Sequence, residues 1–261
     1  MTSTAPPDGA AEARQERILA RARESGRVTV TDLAPALGVS VETVRRDLKV
    51  LADRGVVHRV YGGAVALESG GFESDLDFRA GRDIDEKHRI ARAALQRRHG
   101  AETIFIDEGA MPLFLAEELV GQGPFTVVTS SLPVATRLST DPAVTVILLG
   151  GRVRGNTLGV VDHWALRMLD ELVIDLAYIG ANGISRDHGV TTQDPSVAAV
   201  KRAAVERSRR RILFGAHTKF GAHSLCRFAD VRDFEVLVTG TELPAAEARR
   251  YAALGPQVVR A

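Results

Sequence analysis

The chain carries one cysteine in 261 residues, Cys226. An intrachain disulfide is therefore excluded, and no zinc-ligand spacing surrounds that thiol. Long hydrophobic runs are also missing. Apolar residues make up 45% of the chain, yet no stretch approaches the roughly 20 residues that a membrane helix needs. The first residues, MTSTAPPDGAAEA, are small and polar, without the basic-then-apolar pattern of a secretory signal. They read as a disordered tail, residues 1–13, on a protein expected in the cytoplasm and away from membranes. An excess of one charge is lacking too, since the formal net charge is only +1. No metal, cofactor or catalytic residue is expected.

What is present is patterned. Residues 28–51, VTVTDLAPALGVSVETVRRDLKVL, read as a short helix, a turn at Gly38 and a second helix opened by Ser40. A serine hydroxyl at that position can accept from an otherwise unbonded N–H of the first turn. Val44, Leu48 and Leu51 recur at helical spacing and form the inward stripe. Thr43, Arg45, Arg46 and Lys49 are left outside. These cations can neutralise phosphates or reach guanine edges from a major groove. Asp47 would repel phosphate and is expected to pair with an arginine. Pro35 favours a start of the first helix at Thr31 or Asp32, because proline suits only a first turn. The motif spans about 29–48 and points to double-stranded DNA.

Arg14 to Glu24 supplies a preceding helix. Val56 to Leu67 alternates around Gly62-Gly63 as a hairpin, the wing of a winged helix. Arg59 and Tyr61 are its candidates for backbone contact, and Tyr61 has a second option of packing on the head. Over residues 14–67 ten basic residues meet six acidic ones, a net +4 that leaves −3 for the remainder. The basic excess lies where DNA would bind. Residues 68–84 are Gly-rich and acidic and read as a linker, with Phe72, Leu76 and Phe78 available to dock.

From Asp85 onward short apolar runs alternate with helical patterns: TIFID, FTVVTSS, VTVILLGG, LAYIGANG, RRILFGAH and FEVLVTG. This implies an α/β domain, residues 85–261, with an open, mostly parallel sheet. Ligands of such sheets sit beyond the carboxyl ends of strands. The candidates there are Asp107, Gly109, Ala110, Met111, Thr129, Ser130, Ser131, Gly150, Gly151, Arg152 and Lys219. Backbone N–H groups beside the glycines, with Arg152 and Lys219, suit a small anionic ligand.

The head, GVSVETVRRDLKVLADRGVVHRVYGGAV, resembles the DeoR family of bacterial transcriptional regulators. The shared pattern comprises Val39, Ser40, Thr43, Val44, Arg45, Arg46, Asp47, Leu48, Leu51, Gly55, Arg59, Gly62, Gly63 and Ala64, with Tyr61 where the family usually has histidine. The resemblance extends through residue 261. It implies a winged helix-turn-helix followed by an effector-sensing, oligomerising domain similar in fold to ribose-5-phosphate isomerase and CoA transferases. Repression of carbohydrate or related catabolic genes under a phosphorylated sugar is the implied function, with a dimer or tetramer as the implied assembly.

Departures gather at the implied ligand positions. Ala110 and Met111 replace two hydroxyl residues, Asp162 replaces a glycine, Val197 and Ala216 replace acids, and Gly240 replaces an aspartate. They point to a less phosphate-like, more apolar ligand or a weakened effector response. An isomerase or deaminase with a DNA-binding head is the alternative, with Asp107, Glu108 and His217 as its only evident acid–base groups, and the missing acid at Ala216 speaks against it. A protein-binding head is a third option, opposed by the basic excess.

Overall fold

The computed structural model describes residues 8–25, 27–54, 56–66 and 76–261. The chain divides into two units, Met1–Asp75 and Leu76–Ala261.

The first unit contains α1 (Asp8–Ser25), β1 (Arg27–Thr29), α2 (Val30–Leu37), α3 (Val41–Asp53), β2 (Val57–Val60) and β3 (Gly63–Ala66). Helix α1 starts at Asp8, so residues 8–13 of the expected tail are helical. Their sequence, DGAAEA, is rich in the strongest helix formers. Ile18, Ala22, Leu33, Val44, Leu48, Leu51, Val57 and Ala64 close one core. Thr29 caps α2 by accepting from the Asp32 N–H at 3.1 Å. The helix therefore begins earlier than Pro35 had suggested, and Pro35 stands inside it. It leaves the Thr31 carbonyl without an intrahelical donor, at a residue that is exposed and open to water.

The three strands pair antiparallel in the order β1-β3-β2. Val60 faces Gly63, so the two-residue turn is Tyr61-Gly62 rather than Gly62-Gly63. The two glycines do different work. Gly62 holds φ +77°, and a Cβ on Gly63 would stand 2.0 Å from the Val28 carbonyl oxygen. Strand β1, too short to show a period, was not anticipated. Gly55 and Leu67 lie outside the described residues.

The second unit runs α4 (Leu76–Ala80), α5 (Ile84–Leu95), β4 (Thr103–Ile106), α6 (Ala110–Leu119), β5 (Phe125–Thr129), α7 (Leu132–Leu138), β6 (Val144–Leu148), β7 (Arg152–Val153), β8 (Val160–Val161), α8 (His163–Asp170), β9 (Ile174–Ile179), β10 (Gly183–Ser185), β11 (Gly189–Thr192), α9 (Pro195–Arg207), β12 (Ser208–Phe214), β13 (Cys226–Ala229), β14 (Val236–Thr239), α10 (Ala245–Ala252) and β15 (Gln257–Arg260). Its main sheet has the order β15-β14-β12-β9-β4-β5-β6, and every neighbouring pair is parallel. Both faces are buried. Ile104, Ile106, Val127, Leu176 and Tyr178 point into one core, while Phe105, Val128, Ala177, Ile179 and Leu213 point into the other. That is why these strands read as continuous apolar runs.

The chain moves from β4 outward through β5 and β6, then returns to place β9 on the other side of β4. In open α/β sheets such a reversal is where ligands bind, and here it falls at the carboxyl ends of β4 and β9.

Part of the expected linker belongs to this unit. Leu76 is buried, and its N–H donates to the Asn156 carbonyl at 2.9 Å. The buried Lys87 ammonium donates to the carbonyls of Arg79 and Arg82. The compact unit therefore starts at 76 rather than 85, because these carbonyls and Leu76 have partners on it. Residues 67–75, including Phe72, and the side chain of Phe78 lie outside the description.

Candidate DNA-binding surface and ligand site

Helix α3 is set by its two ends and its buried stripe. Ser40 Oγ accepts from the Thr43 N–H at 3.2 Å and lies 2.9 Å from Thr43 Oγ1. Val44, Leu48 and Leu51 are buried as expected, and Asp47 is buried with them. Asp47 accepts from Arg14 Nε at 2.5 Å, Arg14 Nη2 at 3.2 Å and Gln15 Nε2 at 3.0 Å. The hydrogen bond that Arg14 donates to Asp47 holds the Arg14 pKa above its ordinary value. This acid thus straps α3 to α1 and stays off the outer face.

That outer face carries Arg45, Arg46 and Lys49, all exposed. Arg45 makes one loose pair with Glu42 at 3.4 Å, a contact of little energetic weight at the surface. In the wing, His58 and Arg59 are exposed, and Tyr61 at the turn is 100% exposed. The packing option for Tyr61 is thereby excluded. The Arg27 guanidinium donates to its carbonyl at 3.4 Å, and the Val30 N–H donates to the Gly62 carbonyl at 2.8 Å, fixing the wing tip against the start of α2.

In the second unit the expected ligand residues fall at the ends of β4, β5, β6 and β12, on one edge of the sheet. Asp107 follows β4 and is fully buried. Its Oδ2 accepts from the Gly180 N–H at 2.9 Å, at the end of the neighbouring β9. The same oxygen accepts from the Lys201 ammonium, which reaches in from α9 and also donates to the Gly180 carbonyl at 3.3 Å. Glu108 is buried beside them, with Oε1 at 3.9 Å from Lys201 Nζ. Gly109 opens α6 with φ +119°. Ala110 and Met111 follow, and Met111 packs into the core with Ile90 and Leu115.

The three hydroxyls after β5 differ in employment. Thr129 Oγ1 donates to the Ile106 carbonyl at 2.6 Å and accepts from the Ser131 N–H at 3.0 Å. Ser131 caps α7 by accepting from the Val134 N–H. Ser130 Oγ is buried and has no hydrogen-bond partner among the described residues. Beyond β6, a Cβ on Gly151 would stand 2.2 Å from the Val161 carbonyl oxygen, and the Gly150 N–H points at Met168 Sδ at 3.0 Å. Both glycines serve the fold here. Arg152 is exposed and paired with Asp162 at 3.0 Å. Asp162 itself holds φ +86° and ψ −178°, a region that glycine alone occupies without strain.

At the end of β12, Lys219 is half-buried with its stem near Gly215. His217 lies beside Glu86, with Nδ1 at 3.0 and 3.1 Å from the two carboxylate oxygens. Glu242 completes a group whose ligand-type atoms lie within 4.8 Å of one another, and it is held by Arg89 at 2.6 Å. The Lys87 ammonium stands nearby, and burial, with a smaller push from Lys219 and Arg82, brings its pKa down to about 8.

Lys201 was missed as a site residue. Its signal was in the sequence: it sits four residues after Val197 and four before Val205, on a stripe that is otherwise apolar. A lysine in that row must find a partner inside.

A capped, strapped helix with a cationic outer face and an adjoining wing, followed by an α/β unit with polar residues at the switch point of its sheet, defines a DNA-binding regulator with a ligand-sensing domain. Residues 14–70 match the model of the DeoR-like helix-turn-helix domain and residues 82–241 that of the DeoR C terminal sensor domain. The chain belongs to the DeoR family. It is 30% identical over 238 residues to the HTH-type transcriptional regulator GolR of Listeria innocua, covering 91% of this chain and 94% of that one. It is 29% identical over 231 residues to the glycerol-3-phosphate regulon repressor of Escherichia coli, covering 88% and 91%. The chain is also similar to ribose 5-phosphate isomerase A of Methanocaldococcus jannaschii, at 12% identity and TM-score 0.40, covering 53% of this chain and 55% of that one. Among the described residues no helix is long and apolar enough to cross a membrane.

Proposed function

We propose that the protein is a repressor, of carbohydrate or related catabolic genes, that contacts operator DNA through Ser40, Thr43, Arg45, Arg46, Lys49, Arg59 and Tyr61. The observation that carries this is the sorting of charge on α3. Asp47, the acid between Arg46 and Lys49, is turned inward and held by Arg14, while Arg45, Arg46 and Lys49 are all exposed beside a wing whose tip residue is bare. Backbone contacts by the wing position the head, and side chains of α3 read base edges.

The regulatory ligand is a small metabolite bound in the crevice among Asp107, Gly109, Ser130 and Lys201, with Lys219 at the rim. Heads act in pairs on paired half-sites, within a homodimer or homotetramer built by the sensor unit. The name of the Escherichia coli relative makes a catabolic regulon a reasonable context.

Fluorescence anisotropy against duplex DNA, titrated with salt, tests the DNA reading. Affinity should fall steeply as salt rises, and Arg46→Ala should cost about 1–3 kcal/mol on a specific site. Equal affinity of the variant and wild type on that site would remove α3 from the interface.

A further inference from the structure

Side chains from three elements converge where β12 and β14 end. Glu86 comes from α5, His217 from the turn after β12, and Glu242 from the loop between β14 and α10. One ligand-type atom of each lies within 4.8 Å of the other two. The Glu86 side chain is 4% exposed, that of His217 35% and that of Glu242 40%, so the group has a buried side and a side open to water. No spacing in the sequence announces it, because only the sheet brings positions 86, 217 and 242 together.

Its carboxylates face each other. A Cβ on Gly240 would stand 2.2 Å from Glu242 Oε2 and 2.3 Å from Glu86 Oε1. The two oxygens meet there because this position has no side chain. Neighbouring cations are engaged at other atoms. Arg89 Nη2 holds Glu242 through Oε1 at 2.6 Å, and the Lys87 ammonium donates to the carbonyls of Arg79 and Arg82. The third member of the group is the imidazole, with Nδ1 at 3.1 and 3.0 Å from the two Glu86 oxygens. The His217 backbone N–H donates to Glu86 Oε1 at 2.8 Å, which orients that carboxylate whatever the imidazole does.

The donor set is one imidazole nitrogen and two carboxylates, without a thiolate. Imidazole with carboxylates suits zinc and its first-row neighbours, whereas calcium and magnesium take oxygen ligands. Three protein ligands with a side open to water leave room for a fourth, a water molecule. Donors on a tetrahedral ion at about 2.0–2.2 Å stand roughly 3.4 Å apart, so side-chain rotations of about 1 Å bring the three onto one ion. A divalent cation would also relieve the repulsion between the facing carboxylates, and it would fasten α5 to the ends of β12 and β14.

We propose that Glu86, His217 and Glu242 form a binding site for a divalent first-row transition-metal ion, with zinc the best match. The site is independent of the metabolite reading, which uses other side chains.

Isothermal titration of zinc chloride into full-length protein, stripped with a chelator and then freed of it, tests this. One equivalent should bind at micromolar affinity or tighter and raise the melting temperature, since an ion that binds only the folded chain stabilises it. His217→Ala and Glu242→Gln should each lose at least about tenfold in affinity, because even outer-shell partners of a metal ligand are worth that much. Gly240→Ala, whose Cβ drives the two oxygens apart, should weaken binding without removing a ligand. The exposed His188 and His223 rings, 4.6 Å apart, supply the control: replacing both by alanine should leave the zinc affinity unchanged. Melting of each variant without metal checks that it is folded. Absence of zinc binding by wild type overturns the proposal. Binding that is equal in wild type, His217→Ala and Glu242→Gln means an adventitious ion only, and overturns it too.

Discussion

Asp47→Ala is the sharpest test of how the head is held together. The carboxylate accepts three hydrogen bonds from two side chains of α1, at 2.5, 3.2 and 3.0 Å. Its own side chain is 4% exposed and that of Arg14 15%. Removal strands a mostly buried guanidinium and the Gln15 amide. Breaking a fully buried ion pair from one side costs about 3–5 kcal/mol. The partial exposure of Arg14 lets water recover some of that, so about 2–4 kcal/mol is expected here. A unit of this size has a total stability of only about 3–9 kcal/mol. The head should then be substantially open while the sensor unit stays folded. Hydrogen–deuterium exchange read peptide by peptide distinguishes the two, with lost protection expected in α1 and α3 and none in β4, β9 and β12. Asp47→Asn should lie in between, since an amide oxygen still suits Gln15 while its N–H₂ faces Arg14. Wild-type protection of α1 and α3 in Asp47→Ala, with wild-type DNA affinity, would refute the reasoning.

Three further outcomes follow from the sensor unit. Lys201→Met leaves Asp107 buried with only the Gly180 N–H and should cost about 3–5 kcal/mol in chemical denaturation, with most of it restored by adding Asp107→Asn; no recovery in the double variant would contradict the pairing. The Lys87 pKa is lowered to about 8 in the fold, below its unfolded value, so the unfolded chain binds more protons between that pH and the ordinary lysine range. Stability should rise with pH through this window in wild type, more steeply than in Lys87→Met, and parallel slopes would contradict the assigned burial. Asp162→Gly should stabilise by about 1 kcal/mol, because glycine accepts φ +86° at no steric cost, while the exposed pair with Arg152 contributes little; a lowered melting temperature would show that the pair outweighs the strain.

The sequence was most legible where a period or a cap stated the structure. Ser40, Gly38 and the Val44-Leu48-Leu51 stripe defined α3, and the six long apolar runs defined six of the seven strands of the main sheet. It was least legible where long-range partners decide. Strand β1 exists because β3 offers it hydrogen bonds, and β15 because β14 does; β1 has three residues and β15 has only Val258 and Val259 between polar ends. The hairpin of β7 and β8 escaped for the same reason. Helix α4 was hidden in a linker composition, and its place depends on Asn156, eighty residues on. In the crevice, strand-end polarity identified Asp107 and Ser130, but the hydroxyls of Thr129 and Ser131 proved committed to the fold. Which hydroxyl stays available depends on the neighbouring strand, and no spacing encodes that.

The central claim is sequence-specific recognition of DNA by the outer face of α3. Selection from a random duplex pool by the full-length protein, alongside the Arg45→Ala/Arg46→Ala double variant, tests it most directly. Enrichment of a motif with repeated half-sites by wild type, and its loss in the double variant with the fold retained, is the predicted result. No enriched motif from wild type, or the same motif at the same affinity from the variant, would contradict it.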